Sequence, residues 1–361
     1  MNIMKPNILI LYNFILHYRI PFFNELCQNY NVTVLHSGKP SVSSDDKFTE
    51  IIVPVKKIGP LNFQKGVLSE VMRDKYDIII ALFDVRWINT LISIHTYNKR
   101  VKYILWGAWI TDSYLANKVR LFYTKRVSSS VFYTNEARQD FINSGIDKSN
   151  LYVANNTFDV GPRVQSFGNP EKSTILFVGS LDKRKQNDVL LYSFKEIMDK
   201  IPPHIILVII GDGEQREYLE EIANKLELNN RIDFVGKLND TNKLMDYYKK
   251  AIVSVSFGQA GLTVLQSLGY GVPFITKRNA ISGGEKSNIK HAYNGFFCED
   301  KQSSLSGYLT LLCNDIEYAR VIGKNAFHYY TKYCTMKNMV QGFRDAIEGT
   351  NIAVIDETNN I

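Results

Sequence analysis

The sequence predicts an α/β protein built from two Rossmann-like, doubly wound parallel-sheet domains facing a cleft. Three observations predict it. Short apolar runs alternate with amphipathic stretches from end to end. The runs are apolar on both faces, as strands of a parallel sheet covered by helices are. The alternation also restarts after DVGPRVQSFGNPEKS (159–173), a stretch rich in Gly, Pro and Ser that reads as a linker. A chain of 361 residues has room for about two such domains.

In the first half, strands are expected at 7–12, 32–36, 77–82, 102–107, 129–134 and 151–155. Between them, 22–30, 66–75, 87–98, 115–127 and 136–145 carry apolar residues at helical spacing. In the second half the runs at 174–179, 204–211, 231–236, 252–257 and 273–277 read as strands, with helices including 188–200 and 217–226. The segment 323–347 reads as one or two helices, and the polar residues after Gly349 are expected to fray. The domains are therefore drawn as 1–163, 164–335 and a C-terminal segment 336–361, long enough to cross back to the first domain. Ligands of such sheets bind at the carboxyl ends of the strands.

Composition narrows the class. With 45% hydrophobic and 22% charged residues the chain is an ordinary globular protein, which excludes collagen-like, low-complexity and disordered classes. Cys27, Cys298, Cys313 and Cys334 are far apart and form no CxxC pair, so reduced thiols are expected and a structural zinc is not. The first apolar run is shorter than a signal h-region of about 7 to 15 residues. No stretch reaches the roughly 18 uncharged apolar residues of a membrane span. The expectation is a cytoplasmic protein, soluble or peripheral to the inner face of the plasma membrane. Residues 1–165 hold 20 Lys and Arg against 13 Asp and Glu, whereas the remainder is balanced at 23 and 23. A basic half suits an anionic partner such as a phospholipid surface, a lipid-linked phosphate or nucleic acid, and equally a solvated surface with no partner.

Three loops could receive a phosphate on backbone N–H groups at a helix start: FVGSLDKRK (177–185), IIGDGEQRE (209–217) and SFGQAGLTVLQSLGYGVPFIT (256–276). None is a GxGxxG after the first strand and none is a Walker A loop, which argues against dinucleotide oxidoreductases and P-loop ATPases. In this order and spacing, residues 174–300 resemble the donor domain of family 4 glycosyltransferases, which have the GT-B architecture. The resemblance implies that the loop bearing Gly179, Ser180, Arg184 and Lys185 holds the donor diphosphate. Lys185 falls on the family's lysine position and Ser180 on its arginine position. Gly211 then belongs to a GDGP-type loop, and Gly236, Lys237 and Leu238 lie against the base. Gly261, Leu262 and Thr263 open a helix whose N–H groups can receive the β-phosphate.

The family motif carries two glutamates separated by seven residues, and this sequence has Gly258 and Gln266 in their places. Gln266 can still hydrogen-bond ribose hydroxyls. Gly258 can be neither acid nor base, so either a subgroup places its catalytic interactions elsewhere or activity has been lost. Glu285, in AISGGEKSNI, could supply a carboxylate near the ribose or sugar, or could simply be solvent-exposed.

In the first half, HYRIPFF resembles the start of some polysaccharide glycosyltransferases. His17 would sit at the end of the first strand, where it could accept a proton from an acceptor hydroxyl or make a local backbone bond. Arg19 could hold a phosphate. Asp84 and Asp112 are strand-end carboxylates, and Ala108 and Trp109 stand in the loop where several relatives carry a histidine. Trp109, with Trp87, Trp106 and Phe83, could stack on a sugar ring or belong to the core. Segment 115–127 is basic and amphipathic, fitting an anionic bilayer or a solvated face.

The resemblance implies a metal-independent, retaining transferase. It would move a hexose or deoxyhexose from a nucleoside diphosphate sugar to a saccharide or lipid-linked saccharide acceptor in cell-surface polysaccharide synthesis. No cofactor and no metal are expected, and Lys185, Arg184 and the 261–263 helix start would stabilise the leaving diphosphate. The rival is a non-catalytic protein of the same architecture that binds a nucleotide sugar or scaffolds a partner. Nucleic-acid binding lacks a recognisable module.

Overall fold

A computed structural model describes residues 4–161, 164–228, 230–238 and 240–350. It divides into two compact units, one formed by 1–155 with 336–361 and the other by 156–335. Unit 1 runs β1 (Asn7–Leu11), α1 (Ile20–Leu26), β2 (Asn31–His36), β3 (Thr49–Ile52), β4 (Val55–Ile58), β5 (Leu61–Gln64) and α2 (Val67–Val71). It continues through β6 (Ile78–Leu82), α3 (Ile88–Thr96), β7 (Lys102–Trp106), α4 (Tyr114–Thr124), β8 (Ser129–Phe132), α5 (Asn135–Asn143) and β9 (Leu151–Val153). Unit 2 holds β10 (Thr174–Val178), α6 (Asn187–Ile197), β11 (Ile206–Ile210), α7 (Arg216–Lys225), β12 (Ile232–Gly236), α8 (Thr241–Lys250) and β13 (Ala251–Val255). It ends with α9 (Thr263–Tyr270), β14 (Phe274–Lys277), β15 (Gly295–Cys298), α10 (Gln302–Asn314) and α11 (Ile316–Tyr333), and α12 (Met336–Glu348) belongs to unit 1.

Among the described residues, unit 1 contains a seven-stranded parallel sheet in the order β3-β2-β1-β6-β7-β8-β9. Alternate side chains leave opposite faces of each strand. Ile8, Ile10, Ile78, Ile80 and Trp106 join Phe22 and Phe23 of α1 and Met339 and Phe343 of α12 on one face. Leu9, Leu11, Ile79 and Leu105 join Val67, Leu91 and Phe141 of α2, α3 and α5 on the other. Both faces are covered, which is why these strands read as continuous apolar runs.

Unit 2 repeats the plan with a six-stranded parallel sheet, β12-β11-β10-β13-β14-β15, among the described residues. Ile175, Phe177 and Ile209 pack with α6, α7 and α10, while Leu176, Val208 and Ile210 pack against α8 and α9. The architecture is the expected pair of doubly wound parallel sheets.

The structure adds elements that the apolar pattern does not show. β3 pairs parallel to β2 at the sheet edge, β4 and β5 form a separate antiparallel hairpin, and β15 closes the other sheet. β3 and β4 are largely exposed, so neither carries a buried run. The described residues of 158–173 lie within unit 2 and are tied to it. The Tyr270 hydroxyl donates to the Val160 carbonyl at 3.2 Å, Tyr330 donates to Phe158 at 2.6 Å, and Arg320 donates to Phe167 and Asn169 at 2.6 Å each. The fraying expected after Gly349 falls, from 351 onward, outside the described residues. All four cysteines are buried and none is in a disulfide, and no described helix is long and apolar enough to cross a membrane.

Candidate active site

In each sheet the strand order reverses once, and at that point the loops leaving two adjacent strands diverge and open a crevice. In unit 2 the reversal lies between β10 and β13. The loop after β10 carries Gly179 to Gln186, and the loop after β13 carries Ser256 to Leu262. The Gly258 N–H donates to the Lys185 carbonyl at 3.0 Å, and the Ile281 N–H donates to the Gly258 carbonyl at 3.0 Å. The Ala260 N–H donates to Ile281 at 2.8 Å, so the loop after β14 is laced to the same edge.

This lacing needs glycine where backbones touch. A Cβ on Gly258 would overlap the Arg184 carbonyl, and one on Gly211 would overlap the Gly179 carbonyl. The Gly211 N–H in turn donates to the Gly236 carbonyl at 2.9 Å, which sets Gly179, Gly211 and Gly236 side by side along the strand ends. Lys237 beyond them is exposed, and Leu238 packs on the core beneath.

Lys185 is buried, and its ammonium makes no hydrogen bond or ion pair among the described residues. Burial pushes its pKa below the ordinary lysine value, Asp182 and Glu285 pulling the other way. It folds back over Gly179: a methyl group there would lie 3.6 Å from Cε and 3.8 Å from Nζ. A desolvated cation with no partner among the described residues, at the end of β10, is chemically suited to meet an anion. Arg184 is exposed and spends its guanidinium on Asp182, at 2.9 and 3.2 Å, and Ser180 donates to the same carboxylate at 2.7 Å. Those bonds, the Arg184 one foremost, hold Asp182 below the usual carboxylate range.

Gly261, Leu262 and Thr263 lead into α9, whose first N–H groups find no partner within the helix. The Thr263 hydroxyl is buried without a partner. Gln266 lies inside the core at 4% exposure, its amide oxygen accepting from the Tyr248 hydroxyl at 3.2 Å. Gly258 is buried against the Lys185 loop. Glu285 is buried too, and not a solvent-exposed loop residue: Oε1 accepts from Asn156 Nδ2 at 2.8 Å, and Oε2 from the Gly283 N–H at 2.9 Å and Ser282 at 3.2 Å. Its charge acts on Lys185.

Unit 1 reverses its strand order between β1 and β6, and His17 and Asp84 follow those two strands. His17 is exposed in a 3-10 turn. Arg19, two residues on, turns inward to 4% exposure. It donates to Tyr12 at 3.2 Å, to Tyr133 at 3.3 Å and to Met339 Sδ at 3.8 Å, and lies 5.1 Å from the Trp106 ring centroid. A cation so enclosed spends its donors on unit 1 itself. Asp84 is bound by Arg86, 2.6 Å from Nη2; burial opposes its charge, but Arg86 holds its pKa below the usual range. Asp112 is exposed. Trp87, Trp106 and Phe83 are core residues, whereas Trp109 is 50% exposed with the Arg120 guanidinium carbon 5.7 Å from its ring centroid.

Sequence reasoning passed over Gln186 and Asn187. Gln186 adopts φ 53 and ψ 48, a left-handed conformation that costs a residue with a side chain about 1–2 kcal/mol. Its Oε1 is buried without a partner, and so are both side-chain polar atoms of Asn187. Both residues line a cavity of about 510 Å³ bordered by Asp182, Lys183, Gln215 and Tyr218. Position next to Lys185 was the one available signal.

Residues 163–329 match the family model described as Glycosyl transferases group 1. An uncharacterized glycosyltransferase of Haemophilus influenzae is 24% identical over 307 residues, covering 80% of this chain and 83% of that protein. A Campylobacter jejuni alpha-1,4-N-acetyl-D-galactosaminyltransferase, named for an undecaprenol-diphosphate-linked acceptor, is 28% identical over 43% of each chain. Among solved structures, Anabaena Alr3699/HepE in complex with UDP aligns with TM-score 0.71 and 17% identity over 96% of this chain and all of that one. The lipopolysaccharide outer core galactosyltransferase WaaB aligns with TM-score 0.70 and 14% identity over 96% of this chain and all of that one. The fold is thus the two-Rossmann-like GT-B fold.

Proposed function

We propose that the chain is a glycosyltransferase whose unit 2, where residues 163–329 match the Glycosyl transferases group 1 model, holds a nucleoside diphosphate sugar at the β10/β13 reversal. The sugar passes to a saccharide acceptor in glycan synthesis. The observation that carries the reading is Lys185, a buried cation without a partner at that reversal. The Anabaena structural neighbour, solved with UDP and with UDP-glucose, supports uridine as the base. The C. jejuni relative supports a lipid-linked saccharide acceptor, and a Rhizobium meliloti lipopolysaccharide core enzyme, 30% identical over 27% of this chain, supports cell-surface polysaccharide.

Transfer in this reading retains the anomeric configuration, as in family 4 enzymes, and needs no metal. As the bond from the sugar to the diphosphate breaks, negative charge grows on the leaving oxygen. In this reading Lys185 and the positive N-terminal end of α9 meet that charge, and preorganised charge requires no rearrangement during the reaction. Glu285, held by Asn156 and Gly283, supplies the nearby carboxylate. His17 accepts the acceptor's proton, and Asp84 and Trp109 contact the acceptor. Unit 1 also presents Tyr114, Leu115 and Phe122 exposed beside Lys118, Lys125 and Arg126, a surface that fits an anionic bilayer.

Melting temperatures with UDP, GDP, dTDP and CDP, with and without a chelator, test the reading. Ligand at about 100 Kd adds roughly 2.7 kcal/mol to stability. Selective, chelator-independent stabilisation by UDP, followed by transfer from a UDP-sugar, is expected; no response to any nucleotide sinks the donor site. One observation favours the non-catalytic rival: Gly258, at the first motif position, has no room for a side chain. That rival is distinguished by binding without transfer or hydrolysis.

A further inference from the structure

Among the described residues, only Gln186, Glu227 and Ala292 adopt positive φ without being glycine. Gln186 directly follows Lys185, on the loop bordering the reversal of the unit 2 sheet. There the chain keeps a side chain in a backbone conformation that glycine would adopt without strain. The amide oxygen it keeps is unsatisfied, since Oε1 is buried and no group among the described residues donates to it.

The same side chain determines what position 258 can present. A Cβ built on Gly258 would lie 2.8 Å from Gln186 Cγ and 2.9 Å from Gln186 Oε1. Gln186 therefore fills the space into which a side chain at 258 would grow. At this point of the reversal the polar side chain comes from the β10 loop, and position 258 of the β13 loop contributes backbone alone.

The unsatisfied oxygen also indicates the ligand. An amide oxygen accepts and cannot donate, so it has nothing to offer the ionised oxygens of a diphosphate. Those suit Lys185 next door. A hydroxyl fits Oε1, and of the two hydroxyl-bearing rings that flank the diphosphate of a nucleoside diphosphate sugar, the transferred sugar carries more hydroxyls than the ribose. We infer that Gln186 is a donor-specificity residue whose amide oxygen accepts a hydrogen bond from a hydroxyl of the transferred sugar, a role that rests on the donor site proposed above.

The test compares wild type with Gln186→Gly and Gln186→Glu, using UDP, UDP-glucose, UDP-galactose and UDP-N-acetylglucosamine as probes. Melting temperature and transfer are both measured. Gln186→Gly relieves the backbone, so the unliganded protein is expected to melt about 2–4 °C higher. The shift caused by UDP stays at the wild-type value, the extra shift of the preferred UDP-sugar over UDP is lost, and transfer falls at least tenfold. Gln186→Glu keeps an acceptor oxygen and retains part of that extra shift. If Gln186→Gly keeps both the extra shift and wild-type transfer, the assignment is overturned while the donor site stands. If wild type responds to UDP but gains nothing more from any of the sugars, Gln186 has no such role. A wild type silent to every probe removes the donor site and the assignment together.

Discussion

At the scale of single residues, two buried lysines show how environment decides function. Lys185 is desolvated and has no partner among the described residues, so the folded protein gains little from it, and in the proposed function it meets an anion. Lys185→Ala is expected to cut turnover at least tenfold while the melting temperature holds or rises; wild-type turnover in a folded mutant would remove it from the mechanism. Lys172 is desolvated as well but donates to the Lys249 and Ala251 carbonyls at 3.1 and 2.7 Å. Burial, with Arg320 adding to it, pushes its pKa down to about 7 from 10.5. Between those values the unfolded chain binds more protons than the folded one, so stability increases with pH, by at most about 1.4 kcal/mol per unit from this group. Melting curves from pH 7 to 10 check this: Lys172→Met should flatten the rise, and an unchanged slope would dismiss the lysine as its source.

At the scale of elements, the candidate donor site is an assembly of loops. The loops after β10, β13 and β14 are joined by backbone bonds through Gly258 and Ile281, so a change in one is felt by the others. Gly258→Glu would restore an acidic residue to the motif position. Its Cβ would meet the Arg184 carbonyl, and the expected outcome is about 1–3 kcal/mol of destabilisation with no gain in turnover, read by denaturant melts and a transfer assay. Helix α4 tests the membrane proposal. Lys118 lies 4.5 Å from the Tyr114 ring centroid and Arg126 lies 3.3 Å from that of Phe122, so charge and aromatic surface coincide. Lys118→Glu with Arg126→Glu should abolish cosedimentation with anionic vesicles and leave the folded fraction unchanged; equal binding of both proteins would argue for a merely solvated helix.

At the scale of the whole molecule, the chain returns at its end to complete the unit where it began. Phe343 of α12 packs 4.8 Å from Phe22 and 4.9 Å from Trp106, ring centroid to centroid, and Gly342 leaves no room for a Cβ against the Val153 carbonyl. Phe343→Ala should cost unit 1 about 3–5 kcal/mol. Because α12 packs in unit 1 and the proposed donor site lies in unit 2, nucleotide should still raise the unit 2 transition. Differential scanning calorimetry with and without UDP separates the two, and loss of the nucleotide response would show that α12 matters to the donor site as well.

The sequence by itself determined the order of elements and the two parallel sheets, because strands such as Ile8–Leu11 and Ile175–Val178 are covered on both faces and must be apolar throughout. It left β3 and β4 unseen, since half-exposed edge strands need no such run. It also marked the glycine loops and Lys185, whose chemistry is local. What only the tertiary structure decided is which polar side chains lose water and to whom they turn. Arg19 reads as a surface cation until Met339, 320 residues away, joins Tyr12 and Tyr133 around it. Glu285 reads as a loop carboxylate until Asn156, 129 residues before it, fixes Oε1. Gln186 is an unremarked glutamine until the β10 turn forces it left-handed against Gly258. Periodicity is written between chain neighbours, whereas desolvation depends on residues that only the folded topology brings together.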